Sequence, residues 1–335
     1  MSQPRVLVTR VLPQAALDRI VSACDMDLWT DELPPPREVL LEKVRGCDGV
    51  LSLLTDRIDA EVMDASPCLK VISNYAVGYD NIDIAAATER RIQVGNTPGV
   101  LTETTADLAF ALLMAAARRI VEADAFTRAG RWKTWGPTLL LGQDVHHATL
   151  GIIGFGRIGR EVAKRARGFD MQVMYHDSGR DEQAERELGA CYADLDTLLA
   201  GSDFVSIHVP LTEATRHMIG ARELALMKPT AILINTARGP VVDQQALYEA
   251  LRDRRITAAG LDVFEREPID PDNPLLKLDN VVLAPHIASA SVATRTKMAL
   301  MAAENLIEGV NCRPIPYRVN TEIDRDFRCC GLDCP

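Results

Sequence analysis

Three polar residues in the second half of the chain each stand just after an apolar run that reads as a strand. Arg238 follows Ile232-Leu233-Ile234-Asn235 within Asn235-Thr236-Ala237-Arg238-Gly239. Glu267 closes Asp262-Val263-Phe264-Glu265-Arg266-Glu267, and His286 stands in Ala284-Pro285-His286-Ile287. Ligands of open parallel sheets gather at the carboxyl ends of strands. A guanidinium there can hold a carboxylate through two parallel hydrogen bonds. A histidinium can release a proton near neutral pH, and a glutamate beside it favours the charged ring. Singly, the three read as well as a surface ion-pair residue, a solvated loop acid and a core histidine. Together they supply an anion clamp, an acid/base and its orienting acid. That set suits attack of a hydride on a ketone carbon. The carbonyl oxygen takes a proton, while the arginine holds a neighbouring carboxylate and polarises the carbonyl.

A source of hydride is legible upstream. Gly154-Phe155-Gly156-Arg157-Ile158-Gly159 follows the apolar run Ala148–Ile153 and opens a helical pattern. A second apolar run, Met171–Tyr175, leads to Asp177. Strand, glycine turn, helix, strand and an acid roughly 20 residues on form the dinucleotide-binding βαβ pattern. Gly154 permits the tight turn, Gly156 lets backbone N–H groups approach a pyrophosphate, and Gly159 lets the helix pack on the strand. Asp177 can accept hydrogen bonds from the ribose hydroxyls and would repel a 2′-phosphate, which favours NAD(H) over NADP(H). Arg180 nearby argues the other way.

These residues need a scaffold of alternating strands and helices, and the chain reads that way almost throughout. That is an α/β pattern with parallel sheets. Before residue 100 it forms a small α/β sandwich with no glycine fingerprint of its own. Thr102–Arg118 reads as a long helix, and the segment from Ala123 to Gly142, with Trp132 and Trp135, as a helix end plus an extended loop. A last helix, Ala293–Glu308, belongs with the first domain. The division expected is 1–99 with 291–335 around a dinucleotide domain at 100–290, within which 100–147 is a connecting helix and loop.

The length of 335 residues suits two domains, and 47% hydrophobic residues suffice for two cores. A net charge of −10 without a basic run argues against nucleic acid and anionic membranes as partners. No apolar stretch is long enough to span a bilayer, and the N-terminus lacks secretory features, so cytoplasm is the expected location. The eight cysteines include no Cys-x-x-Cys pair, and Cys329, Cys330 and Cys334 read as reduced thiols on a frayed end, so no metal is expected.

At this point the chain resembles the D-isomer-specific 2-hydroxyacid dehydrogenases, in particular the glyoxylate/hydroxypyruvate reductase branch. The resemblance rests on the fingerprint, on Asn74-Tyr75-Ala76-Val77-Gly78-Tyr79-Asp80-Asn81-Ile82-Asp83, Asn96-Thr97-Pro98-Gly99-Val100-Leu101-Thr102, Thr105-Ala106-Asp107-Leu108-Ala109, Asn235–Gly239, Gly260–Phe264 with Glu267-Pro268, and Pro285-His286-Ile287. It implies a Rossmann-type doubly wound domain plus a smaller flavodoxin-like α/β domain built from both termini. It also implies that Arg238 binds the substrate carboxylate and that His286, paired with Glu267, is the acid/base. Val77 and Gly78 would offer backbone N–H groups to that carboxylate, and Leu54 would line the substrate loop. Thr105, Arg157, Ile158, Asp177, Val209, Pro210, Thr236 and Asp262 would touch the cofactor. A homodimer is implied, with 100–147 as its dimerisation segment and Trp135 either entering the partner's active site or serving as a contact.

The reaction implied is NADH-linked reduction of glyoxylate and hydroxypyruvate, a small 2-oxo acid being the partner. The alternatives are the NADPH-linked version and another D-2-hydroxyacid or phosphite dehydrogenase of this fold. More remote is an NAD-sensing scaffold like the C-terminal binding protein corepressors. The chain departs from the family pattern at His146-His147 and at Ala284 and Ala288 beside the catalytic histidine.

Overall fold

A computed structural model of the chain describes residues 3–323 and 327–328; the three clustered C-terminal cysteines fall outside them. The chain divides into two compact units, Met1–Leu101 with Ala290–Pro335, and Thr102–Ser289.

The first unit carries the parallel strands β1 (Arg5–Val8), β2 (Asp25–Leu28), β3 (Gly49–Ser52), β4 (Val71–Asn74) and β5 (Gln93–Gly95). Their order, β2-β1-β3-β4-β5, is the flavodoxin-like one. Every residue of β3, β4 and β5 is buried, as expected of strands covered by helices on both faces. The C-terminal helix Val292–Val310 supplies one cover and makes this unit a product of both chain ends. Two glycines let it sit close: a Cβ on Gly309 would stand 2.4 Å from that of Val71, and one on Gly49 would stand 2.7 Å from Val310. Buried amides then seal the outer edge of β5. Gln93 bonds the backbone of Arg313 and Ile315, and Asn320 accepts the Val94 N–H while donating to the Ile92 carbonyl.

The second unit is a seven-stranded parallel sheet: β6 (Thr149–Ile153), β7 (Gln172–His176), β8 (Ala190–Tyr192), β9 (Phe204–Ile207), β10 (Ile232–Asn235), β11 (Ala258–Leu261) and β12 (Val281–Leu283). The order β12-β11-β10-β9-β6-β7-β8 reverses direction between β6 and β9, the doubly wound topology with its switch point beside the glycine turn. Both sheets are of the kind the sequence led us to expect. Among the described residues, no helix is long and apolar enough to cross a membrane.

Some elements depart from the sequence reading. The strands β2 and β8 and the helix Glu182–Leu188 were not anticipated. The long helix ends at Ala117, because Arg119 takes a left-handed conformation (φ 51°) and a separate helix, Ile120–Arg128, begins. None of the residues of that second helix is buried.

Candidate active site

The strand registers of the second unit place its candidate residues in one row. Ile153 pairs with His176 and Ile207, Ile207 with Asn235, Asn235 with Leu261, and Leu261 with Leu283. The next residue of each strand therefore belongs to a line across the carboxyl edge: Asp177, Gly154, His208, Thr236, Asp262 and Ala284. Backbone bonds continue the ladder along it, from Gly154 N–H to His176, His208 N–H to Ile153, Asp262 N–H to Asn235 and Ala284 N–H to Leu261. His208 escapes the sequence reading because the apolar run Phe204–Val209 reads as one strand with the histidine inside it. The rule that found Arg238 and His286 finds it once the strand ends at Ile207.

The acid/base pair forms at one end of this row. His286 Nδ1 lies 2.6 Å from Glu267 Oε2, with the two side chains 25% and 27% exposed. Glu267 Oε1 accepts the Phe264 N–H at 3.0 Å, so both oxygens of the carboxylate are engaged. Burial by itself would raise the Glu267 carboxyl. The bond to His286 and its charge, the Phe264 N–H and the charge of Arg238 outweigh burial and hold it below the ordinary glutamate range. The histidine is presented by a strained backbone: its φ is 54°, in the left-handed region. Asp262, fully buried, holds that turn. Its carbonyl accepts the His286 N–H at 2.9 Å, and its two carboxylate oxygens accept the N–H groups of Ile287 and Ala288 at 2.7 and 2.8 Å. Burial raises the Asp262 carboxyl despite those donors. Asp262, read from sequence as a cofactor contact, is within the protein the clamp of the histidine loop.

Arg238 is fixed through its backbone. Asn235 donates from Nδ2 to the Arg238 carbonyl (3.0 Å) and accepts the Ala237 N–H at Oδ1 (3.0 Å). Gly239 presses on the loop that carries Glu267: an added Cβ would lie 1.9 Å from the Phe264 carbonyl. Only glycine allows this approach, which brings the guanidinium's segment against the acid's loop. Neither Asn235 nor Gly239 was singled out from sequence.

The glycine turn has the properties of a phosphate cradle. Gly154 has φ 93°, and a Cβ there would strike the His208–Val209 peptide at 2.7 Å; one on Gly159 would strike the Gly154 carbonyl at 2.2 Å. Gly156 differs, since an added Cβ would meet no atom within 4 Å. Packing requires glycine at two of these positions and leaves the third open to an approaching ligand. Gly156→Ala should therefore leave thermal stability unchanged and weaken dinucleotide binding by about tenfold or more. Gly159→Ala should cost about 1–3 kcal/mol of stability through the clash. Melting curves and fluorescence titration with NADH separate the two; equal affinity in Gly156→Ala and wild type would remove the cradle role.

Other contacts fit a dinucleotide. Arg157 and Ile158 open the helix Arg157–Ala166, whose N-terminus supplies partial positive charge. Asp177 accepts the N–H groups of Phe155 (2.7 Å) and Ser178 (2.6 Å), tying the second strand to the turn. Buried Thr236 Oγ1 and His208 Nδ1 have no hydrogen-bond partner among the described residues. Burial holds the His208 ring neutral, its pKa pushed down to about 3, and Ser206 Oγ lies 2.8 Å from its Nε2. Orphaned polar atoms in the middle of the strand-end row suit a polar ligand. Thr105 is buried on the helix Thr102–Ala117; Val209, which follows His208, is half-buried, and Pro210 is exposed.

The remaining candidates lie elsewhere. Leu54, Val77 and Gly78 belong to the first unit, just past β3 and β4, and are partly buried. Trp135 is 78% exposed, in the segment after Ile120–Arg128. Among the described residues no group of three or more His, Cys, Asp or Glu side chains is arranged to hold a metal ion.

Known proteins resemble this chain over nearly its whole length. Residues 110–288 match the family model described as D-isomer specific 2-hydroxyacid dehydrogenase, NAD binding domain. The chain is 60% identical over 322 residues to the glyoxylate reductase of Korarchaeum cryptofilum, covering 96% of this chain and 97% of that one. A crystal structure of a Thermus thermophilus protein superposes with a TM-score of 0.89 at 48% identity, covering 94% of this chain and 99% of that one. An NADPH-dependent glyoxylate/hydroxypyruvate reductase from Sinorhizobium meliloti, crystallised with NADP and malonate, does so at 0.83 and 33% identity, covering 99% and 100%.

Proposed function

The chain belongs to the D-isomer specific 2-hydroxyacid dehydrogenase family, and from that membership we propose that it reduces glyoxylate, and hydroxypyruvate with it, with NADH preferred. The observation that carries this reading is the His286–Glu267 pair, held beside Arg238 on strand ends that also bear the glycine turn. Arg157, Ile158, Asp177, Thr236 and the Gly154–Gly159 turn would hold the dinucleotide. The bound nicotinamide supplies a hydride to the carbonyl carbon. His286 gives its Nε2 proton to the carbonyl oxygen, and Glu267 stabilises the charged ring before that transfer. Arg238 holds the substrate carboxylate and draws electron density from the adjoining carbonyl. Within the first unit, the Val77 and Gly78 N–H groups are the candidate donors to a substrate carboxylate, and Leu54 is the candidate contact for a short acid.

The preference for NADH is supported by two features. Asp177 ends the row where the adenosine ribose would lie, and would repel a 2′-phosphate. Arg180, the nearby cation, is engaged bidentately by Glu185 at 2.8 and 2.9 Å. Asp177→Ala should raise the NADPH-to-NADH ratio of kcat/KM by roughly tenfold through loss of that repulsion. An unchanged ratio would assign the choice to Arg180 or the backbone. The NADPH-linked reaction is the second reading, favoured by the Sinorhizobium meliloti relative. Initial rates with glyoxylate, hydroxypyruvate and pyruvate, each with NADH and NADPH, test both. Turnover with NADPH alone would overturn the cofactor preference, and no turnover with any pair would overturn the reaction.

A homodimer accompanies this reading. Its support is the exposed apolar series Ile120, Val121, Trp132, Trp135 and Leu141, which a solvated monomer has little reason to display together. Sedimentation at the mass of one chain, 36.7 kDa, would remove it.

A further inference from the structure

Three asparagines of the first unit, Asn74, Asn81 and Asn96, take no part in the chemistry above, yet they bond the peptide units of the substrate turn. Asn96 donates from Nδ2 to the Val77 carbonyl at 2.8 Å. The Thr97 N–H donates to the Ala76 carbonyl at 2.9 Å. Two successive carbonyls are thereby drawn toward the Asn96–Thr97 segment. In a trans peptide the C=O and the following N–H point in opposite directions. The N–H groups of Val77 and Gly78 are therefore both turned away from that segment, to the same side. Neither donates a hydrogen bond within the described residues. A pair of parallel, unspent N–H groups is an anion site.

A second pair of amides steadies the next peptide and the neighbouring loop. Asn74, fully buried, donates from Nδ2 to the Gly78 carbonyl (2.9 Å) and to Asn81 Oδ1 (3.1 Å). Asn81 donates from its own Nδ2 to the carbonyls of Leu53 (3.0 Å) and Asp56 (2.9 Å). Asp56 in turn accepts the Leu53 N–H at 2.7 Å. The Leu53–Asp56 loop and the Val77–Gly78 turn are thus joined through two side chains. Each amide acts as a donor onto a carbonyl, so its orientation follows from its partner.

We propose that Asn96, with the Asn74–Asn81 pair behind it, is a positioning residue that aims the Val77 and Gly78 amides at the carboxylate of a 2-oxo acid. The inference rests on the substrate reading above and adds residues that do not touch substrate. It predicts that replacing the side-chain donor affects carboxylate recognition selectively. Asn96→Asp keeps the shape but sets a carboxylate oxygen against the Val77 carbonyl, and the peptide must turn. Asn96→Ser is the milder variant.

The test measures kcat and KM for glyoxylate, inhibition by oxamate (a non-reacting 2-oxo acid mimic), NADH affinity by fluorescence titration, and melting temperature. Asn96→Asp should raise KM and the oxamate inhibition constant together by about tenfold or more, with NADH affinity within about twofold of wild type. Asn96→Ser should fall between. Unchanged KM and oxamate inhibition in a folded Asn96→Asp would overturn the proposal. So would a loss shared equally by NADH affinity and melting temperature in both variants, which marks a merely structural side chain. Absence of 2-oxo acid turnover in the wild type would instead defeat the substrate reading on which this rests.

Discussion

His286→Ala is expected to lower kcat for glyoxylate reduction by about 10²- to 10⁴-fold, the range for removal of a positioned acid/base. NADH affinity should stay within about twofold, because among the described residues the imidazole's side-chain hydrogen-bond partner is Glu267 and not a residue of the glycine turn. The companion variant, Glu267→Gln, separates charge from geometry. Glutamine can still accept from His286 Nδ1, but it no longer favours the imidazolium. Reduction consumes the protonated ring, so kcat should fall by about tenfold or more in Glu267→Gln, where no carboxylate stabilises that charge. A pH dependence follows from the Glu267 carboxyl itself. Its pKa is depressed in the folded chain, so the ion pair's stabilisation is complete above the ordinary glutamate value. It is lost only as pH drops through the lowered one. Stopped-flow and steady-state pH profiles of the three proteins decide the matter. Wild-type kcat in His286→Ala, or coincident profiles in Glu267→Gln, would leave the pair without its role.

Arg238→Ala should raise KM for glyoxylate by about 10- to 100-fold and reduce kcat as well. A charged hydrogen-bond donor to the substrate carboxylate contributes about 1.5–3 kcal/mol, and each 1.4 kcal/mol is tenfold. The loss in kcat follows if the guanidinium also polarises the carbonyl, an interaction that strengthens in the transition state. Arg238→Lys tells the two apart. It restores the charge but not the planar two-donor fork, so KM should recover partly and kcat little. The backbone frame makes this substitution interpretable: Asn235 bonds either side of residue 238, and Gly239 fixes its approach to the Phe264 peptide, without using the arginine side chain. Normal kcat and KM in Arg238→Ala would assign the clamp to another cation.

Much of this was legible in one dimension. Continuous apolar runs such as Ile232–Asn235 and Thr149–Ile153 mark strands buried on both faces, so central strands announced themselves. The edge strands did not. Asp25-Met26-Asp27-Leu28 pairs on one side only and is partly exposed, so its composition is polar and carries no strand signal. The helix Glu182–Leu188 does carry a signal, an N-cap at Asp181 whose side chain accepts the Ala184 N–H, but its short, mostly polar run gives no apolar period to support it. The run Phe204–Val209 has the larger consequence: read as one strand, it hides His208, which the structure places one residue past the strand Phe204–Ile207.

The sequence by itself determined the kinds of chemistry available: a phosphate turn, a carboxylate clamp, an acid/base with an acid to charge it, and two parallel-sheet scaffolds. Residue type, glycine spacing and apolar period are local properties, and local spacing encodes them completely. Tertiary structure alone decided which groups meet. Asp262 holds the loop of a histidine 24 positions later, Gly239 yields its side-chain space to the Phe264 carbonyl, and Asn96 draws back the carbonyl of Val77. Such assignments depend on strand register and on where a peptide plane points. Both are set by hydrogen bonds between residues far apart in the chain, for which no single stretch of sequence carries the information.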